Sequence, residues 1–298
     1  MEDSKVRGVY TIAPTPFNED SSLDVASIPT LVNFLVELGI DGITILGVMG
    51  EASKLIDSER DEIITRSVEA ANGRIPICVG TSHTGTDGCV AYSKRAEELG
   101  AYALMVAPPK LAKGTDKALM KHYLRVADAV DTPIVVQDHP TSTGVTMSVE
   151  FIADIAGVSP QCRFLKLEEE PSPKKVSQVL AANHSVEIFG GLGGNMFLEE
   201  LRHGAMGTMT GFAYPDILKT IHTSYMNGDI DGATETFYRY CPLIRFENQP
   251  GIGLSLRKHV YKLRGALRCA QPRAPYTPLD DETIEDLNDL LTRLGLEG

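Results

Sequence analysis

Arg163-Phe164-Leu165-Lys166-Leu167-Glu168 reads as a short strand with a lysine inside an apolar run and a carboxylate two residues on. Side chains alternate across a strand, so Phe164, Lys166 and Glu168 share one face, and Leu165 and Leu167 the other. If the first face lines the inside of a barrel, an amine and an acid enter one enclosed space. Burial disfavours the charged form of an amine, and a neutral amine can attack a carbonyl to form a Schiff base. The alternative is a lysine on a solvated face, the commoner fate of the residue type. The flanking chain has to decide.

Working outward, apolar runs bounded by Pro and Gly alternate with segments of helical spacing. Strands are expected at Val6 to Ala13, Ile43 to Leu46, Pro76 to Gly80, Ala103 to Ala107 and Pro133 to Gln137. The Lys166 strand follows, then Val186 to Phe189 and Ala205 to Thr210. Helices are expected from Ser27 to Gly39, from Asp57, from Asp87 to Leu99, Lys117 to Ala129, Pro173 to Ala182 and Phe197 to His203. Eight strands in alternation with helices predict an α/β fold, a (β/α)8 TIM barrel, with a doubly wound sheet as the runner-up. After Pro215 the pattern is wholly helical (Ile217 to Asn227, Ile230 to Arg245, Gly253 to Arg264, Glu282 to Leu294). The expected organisation is a barrel over residues 1–214 and a C-terminal helical extension over 215–298, packed on the barrel.

Composition narrows the function. The chain has 298 residues, 43% of them hydrophobic, and a net charge of −12. That charge argues against nucleic acid or an anionic membrane surface as the main partner, while leaving room for a small anionic substrate beside a local cation. No apolar run approaches a membrane span, and the first residues lack the apolar core of a secretory signal. Five cysteines (Cys78, Cys89, Cys162, Cys241, Cys269) form no CxxC pair, so reduced thiols in a cytoplasmic protein are expected. The seven histidines show no paired ligand spacing, and neither a metal nor a cofactor is expected.

Barrel enzymes gather their chemistry at the carboxyl ends of the strands. That rule selects Gly47–Glu51, Pro108–Lys110, Gln137–Pro140, Lys166–Glu168, Gly190–Asn195 and Thr210–Tyr214. At these positions the chain resembles the dihydrodipicolinate synthase and N-acetylneuraminate lyase superfamily of Schiff-base barrels, over nearly its whole length. Gly47-Val48-Met49-Gly50-Glu51 stands where that family has a Gly-Thr-Thr-Gly-Glu loop for the carboxylate of a 2-oxo acid. Lys166 stands at the Schiff-base lysine, and Gly204 to Gly211 resembles the glycine-punctuated eighth strand. The departures are as informative. The two loop threonines are Val48 and Met49, one relay tyrosine is Gln137, and the segment for the other reads Ala107-Pro108-Pro109-Lys110. The arginine that grips the synthase's second substrate is Ser142. A lysine-biosynthetic synthase is therefore not expected. Gln137-Asp138-x-Pro140, Lys166-x-Glu168, Asn195 and Phe246-Glu247-Asn248 are instead similar to the L-2-keto-3-deoxyarabonate dehydratase branch.

The resemblance implies that Lys166 condenses with C2 of a 2-keto-3-deoxy sugar acid, with Glu168 and Asn195 completing the catalytic set. Val48, Met49, Glu51, Gln137, Gly191 and Thr210 are the expected substrate-binding residues, and a homotetramer is implied. Each has a plainer reading. Glu168 heads Glu168-Glu169-Glu170, which could be a solvated acidic run. Asn195 could cap the helix that follows. Val48 and Met49 could offer backbone N–H groups to a carboxylate or form a plain turn. His139 reads as packed rather than as a base. Gly190–Gly194 suggests a phosphate cradle, but no Lys or Arg lies between Lys175 and Arg202. Three functions stay apart: a dehydratase; a pyruvate-forming aldolase or synthase-like lyase using the same lysine; and a barrel that binds a sugar acid without turnover.

Overall fold

The computed structural model describes residues 5–111 and 114–296. Eight parallel strands pair in chain order and the eighth closes on the first: β1 Gly8–Ile12, β2 Gly42–Ile45, β3 Ile77–Gly80, β4 Ala103–Val106, β5 Ile134–Asp138, β6 Phe164–Leu167, β7 Glu187–Gly190 and β8 Gly207–Thr210. The outer layer comprises α1 Ser27–Glu37, α2 Asp57–Ala71, α3 Thr86–Glu98, α4 Asp116–Ala127, the short α5 Pro140–Thr143, α6 Val149–Val158, α7 Ser172–Ala182 and α8 Phe197–Arg202. After β8 come α9 Pro215–Met226, α10 Ile230–Glu247, α11 Gly253–Leu263 and α12 Asp281–Leu294. The (β/α)8 barrel with a helical C-terminal region is the architecture the alternation predicts. Helix α9 packs on β1 and on α10, so it both follows the last strand and covers the first.

The pairing register separates the two faces of the sheet. Lys166 stands beside Gln137 of β5 and Phe189 of β7, and Tyr10 beside Gly42 of β2 and Met209 of β8. Tyr10 and Phe189 meet edge-on with ring centroids 5.4 Å apart, which fixes this set as the inward one. Gly42 is required there, since a Cβ would lie 2.2 Å from the Tyr10 ring. The Tyr10 hydroxyl donates to Lys5 O at 3.0 Å, so the ring plugs the amino end of the barrel. Burying one such ring stabilises by about 2 kcal/mol. The opposite, carboxyl end stays polar.

Neither helix between β5 and β6 was expected from the sequence, α5 being a single turn. Helix α6 lies between β5 and the Lys166 strand, capped by the Ser148 hydroxyl, which accepts from Phe151 N, and buries Phe151, Ile152 and Ile155. Its cap and its apolar spacing are both present in the sequence, behind the polar run Thr141–Thr146.

Candidate active site

Strand β6 delivers Lys166 to the interior, 2% exposed, with Nζ 3.1 Å from Glu168 Oε2. Glu168 continues the same face just past the strand, where its N–H still donates to Asp138 O at 2.8 Å. It is 7% exposed and is no member of a solvated run. The run parts company after it: Glu169 turns to Lys175 and Glu170 is exposed. Three side chains converge on the single oxygen Glu168 Oε2. Lys166 is one, Gln137 Nε2 donates to it at 2.8 Å, and His139 Nδ1 lies 3.7 Å away. Burial alone would raise the Glu168 carboxyl, but the Lys166 charge, then His139 and the Gln137 hydrogen bond, hold it below the usual range. Burial pulls His139 below its ordinary value, with Glu168 opposing and Lys166 assisting.

Gly191 is where the β7 loop meets this carboxylate. A Cβ there would come 2.4 Å from Glu168 Cγ, so only glycine lets the acid stand upright against the loop. The loop is backed from behind by Asn248, whose Nδ2 donates to Leu192 O at 2.6 Å and whose Oδ1 accepts from Arg257. Glu168 and Asn248 thus occupy the ground on which a phosphate cradle would need space.

The loop after β2 is built differently from its sequence reading in one respect. Val48 is 65% exposed and Met49 is buried, its sulfur lying over Gly211. Among the described residues, the N–H groups of Val48 and Met49 find no acceptor within the protein, as an anion-binding turn requires. Glu51, expected at the substrate, is instead fully engaged. Oε1 takes Lys258 Nζ at 3.0 Å, and Oε2 takes Lys54 Nζ and Arg273 N, each at 2.9 Å. Its place is behind the loop, as a buried anchor.

Two further expectations are corrected. Thr210 pairs with Thr11, one position out of step with inward-facing Tyr10 and Met209, so it points to the helical layer and not into the barrel. Asn195 is exposed, just after the 3-10 turn Leu192–Gly194, and makes no hydrogen bond to Lys166 or Glu168. It does not cap α8 either: the N-cap position is Met196, and no side chain caps it.

A cavity of about 490 Å³ opens beside Gln137 at the carboxyl end of the barrel, lined by Gly47, Val48, Ser82, His83, Ser142 and Arg60 among others. Arg60, not singled out from the sequence, is buried there. It donates to Gly80 O at 3.0 Å and stacks 4.4 Å over Tyr92. A helical heptad reading gives no warning of this, because α2 presents Arg60 on its packed side. Among the described residues no set of three His, Cys, Asp or Glu side chains gathers to hold a metal, and no helix is long and apolar enough to cross a membrane.

This arrangement has relatives. A profile of the dihydrodipicolinate synthetase family matches residues 5–294. The chain is similar to L-2-keto-3-deoxyarabonate dehydratase of Azospirillum brasilense, with 32% identity over 294 residues, covering 97% of this chain and 94% of that one. It is similar to 4-hydroxy-tetrahydrodipicolinate synthase of Caldicellulosiruptor bescii, 28% identical over 289 residues with 95% of each chain covered. Among solved structures, dihydrodipicolinate synthase from Rhodopseudomonas palustris matches with a TM-score of 0.92 at 34% identity, covering 97% of this chain and 98% of that one.

Proposed function

The chain belongs to the dihydrodipicolinate synthetase family of lyase and aldolase-type enzymes, and we propose that it is a Schiff-base dehydratase of a 2-keto-3-deoxy sugar acid. The observation that carries this reading is the enclosed Lys166–Glu168 pair, held by Gln137 where a hydroxyl relay would otherwise stand. The 32% identity to the Azospirillum dehydratase supports it. A synthase relay has no carriers here, since neither Val48 nor Met49 can pass a proton, and Ser142 offers no charge to a second carboxylate.

The chemistry follows from the pair. The substrate's carboxylate takes the free N–H groups of Val48 and Met49. Lys166 passes a proton to Glu168 and its neutral amine attacks C2; Glu168 returns that proton to the C2 oxygen, which leaves as water, so an iminium and a free carboxylate remain. The iminium acidifies C3, and Glu168, on the same face, removes a proton there. The electron pair of that C–H bond becomes the C3–C4 double bond as the protonated C4 hydroxyl departs. Proton loss from C5, return of a proton to C3, tautomerisation and hydrolysis release 2-oxoglutarate semialdehyde from a pentonic acid. On the same resemblance the working assembly is a homotetramer in the cytoplasm. Light scattering tests that directly, as four chains of 32.3 kDa or fewer.

Borohydride reduction in the presence of a 2-keto-3-deoxy pentonic acid, followed by peptide mass mapping, is the decisive experiment. The adduct is expected on Lys166 and the product is expected to be the semialdehyde. Pyruvate as product would reassign the reaction to C3–C4 cleavage. An unmodified Lys166 in active protein would end the Schiff-base reading altogether.

A further inference from the structure

The dehydratase reading asks one carboxylate for two deprotonations, at C3 and then at C5, so Glu168 must be emptied between them. The structure places one further group beside it. His139 follows Gln137 and Asp138 at the carboxyl end of β5. Asp138 turns outward to Lys175 Nζ at 2.6 Å, and alternation returns His139 to the inner side. The turn into α5 fixes its backbone, because the N–H groups of Ser142 and Thr143 both donate to His139 O at 3.1 Å. Its Nδ1 stands between two partners: Ser142 Oγ at 2.8 Å and Glu168 Oε2 at 3.7 Å. Ser142 lines the cavity. The charged groups acting on the ring are Glu168 and Lys166; Gln137, on the same carboxylate, is neutral.

Resting on the dehydratase reading, we propose that His139 is a second proton carrier that relieves Glu168 and, with Ser142, delivers the proton to the departing C4 hydroxyl. After Glu168 has taken the C3 proton, the neutral imidazole accepts it at Nδ1, leaving a carboxylate and an imidazolium. The imidazolium gives the proton to the C4 oxygen as the C4–O bond breaks, and water leaves with the bonding pair. His139 is neutral again and Glu168 is free to take the C5 proton. No oxidant or further reactant is needed. The 3.7 Å separation suits a contact that tightens when substrate is bound on Lys166. Neutral imidazole is the resting form at neutral pH because burial depresses its protonation.

The test compares wild type with His139→Asn and His139→Ala, using a 2-keto-3-deoxy pentonic acid. His139→Asn is expected to be trapped on Lys166 by borohydride as readily as wild type, with KM within about threefold and kcat down by roughly 10²–10⁴-fold. Imidazole added to His139→Ala is expected to restore part of kcat, which a merely structural role does not allow. In wild type, kcat is expected to rise with pH through one ionisation below about 6.5, and in His139→Asn to lose that limb. A His139→Asn kcat within threefold of wild type overturns the proposal. If His139→Asn traps poorly, the wild-type profile decides, and a flat one overturns it. Absence of any Lys166 adduct in wild type is a different result: it sinks the lyase reading, and this proposal with it.

Discussion

Lys258 Nζ lies 3.0 Å from Glu51 Oε1, both groups buried, joining α11 to the loop after β2 across 207 positions of chain. The ammonium also donates to Thr15 O at 2.9 Å and Gln271 O at 3.0 Å, so every proton it carries has an acceptor. Burial lowers its pKa and Glu51 opposes that fall. The C-terminal helices therefore do more than cover the barrel: they clamp the turn that presents the Val48 and Met49 N–H groups. Lys258→Met keeps the bulk and removes the cation, leaving Glu51 to Lys54 and the Arg273 N–H. Breaking a buried pair in this way is expected to cost about 3–5 kcal/mol in urea unfolding, with a raised KM for the oxo acid. An unchanged midpoint would show that the clamp is not there.

Lys166→Ala and Glu168→Gln separate the two members of the site. The first is expected to abolish both borohydride trapping and turnover. The second keeps the amine and the Gln137 contact but loses the acceptor of the Lys166 proton, so it should still trap substrate on Lys166, more slowly, while kcat falls by roughly 10²–10⁴-fold. Equal loss of trapping in both variants would confine Glu168 to the condensation step, as the acceptor of the Lys166 proton, and leave its removal of the C3 proton unsupported.

Glu200 offers a prediction in stability. It is fully buried on α8, accepts from Ser172 Oγ at 2.6 Å and presses its other oxygen against Gly190. Burial pushes its pKa from 4.5 up to about 8, with Ser172 opposing. The folded protein therefore holds a proton that the unfolded chain has released above pH 4.5, and stability falls as pH rises from there towards 8. The slope is about 1.4 kcal/mol per pH unit for one such group. Glu200→Gln is expected to flatten this fall, measured as urea midpoints between pH 5 and 8. A parallel pH dependence in wild type and variant would count against a protonated Glu200.

The sequence carried the barrel well, and the reason is the strand–helix alternation, which needs no tertiary information. It also carried the central pair, because a spacing of two on a strand places Lys166 and Glu168 together whatever surrounds them. What it could not carry depends on distance along the chain or on register. Nothing near Glu51 announces Lys258. His139 reads as packing until Ser142 and Glu168 are seen on either side of one nitrogen. Asn195 is selected by the resemblance, with a helix cap as its plainer reading; the chain turns once more before α8 begins, so it caps nothing and is exposed.

Thr210 is the sharpest case, since the eighth strand says nothing by itself about which of its faces looks inward. Register with β1 decides: Met209 pairs with Tyr10 and Thr210 with Thr11, and the Tyr10 ring meets Phe189 inside the barrel. Thr210 is buried at 4% exposure on the side facing the helices. A substrate in the barrel mouth has no line to its hydroxyl, whereas Met49 and Gly211 meet on the inner side. Thr210→Val, nearly equal in shape, is therefore expected to leave KM and kcat within about twofold and to alter stability by no more than ~1 kcal/mol. Met49→Ala, which opens the wall over Gly211, is expected to raise KM several-fold in the same assay. If Thr210→Val instead weakens substrate binding while Met49→Ala does not, the inward set assigned from the strand register is wrong, and with it the placing of Lys166 in the lumen.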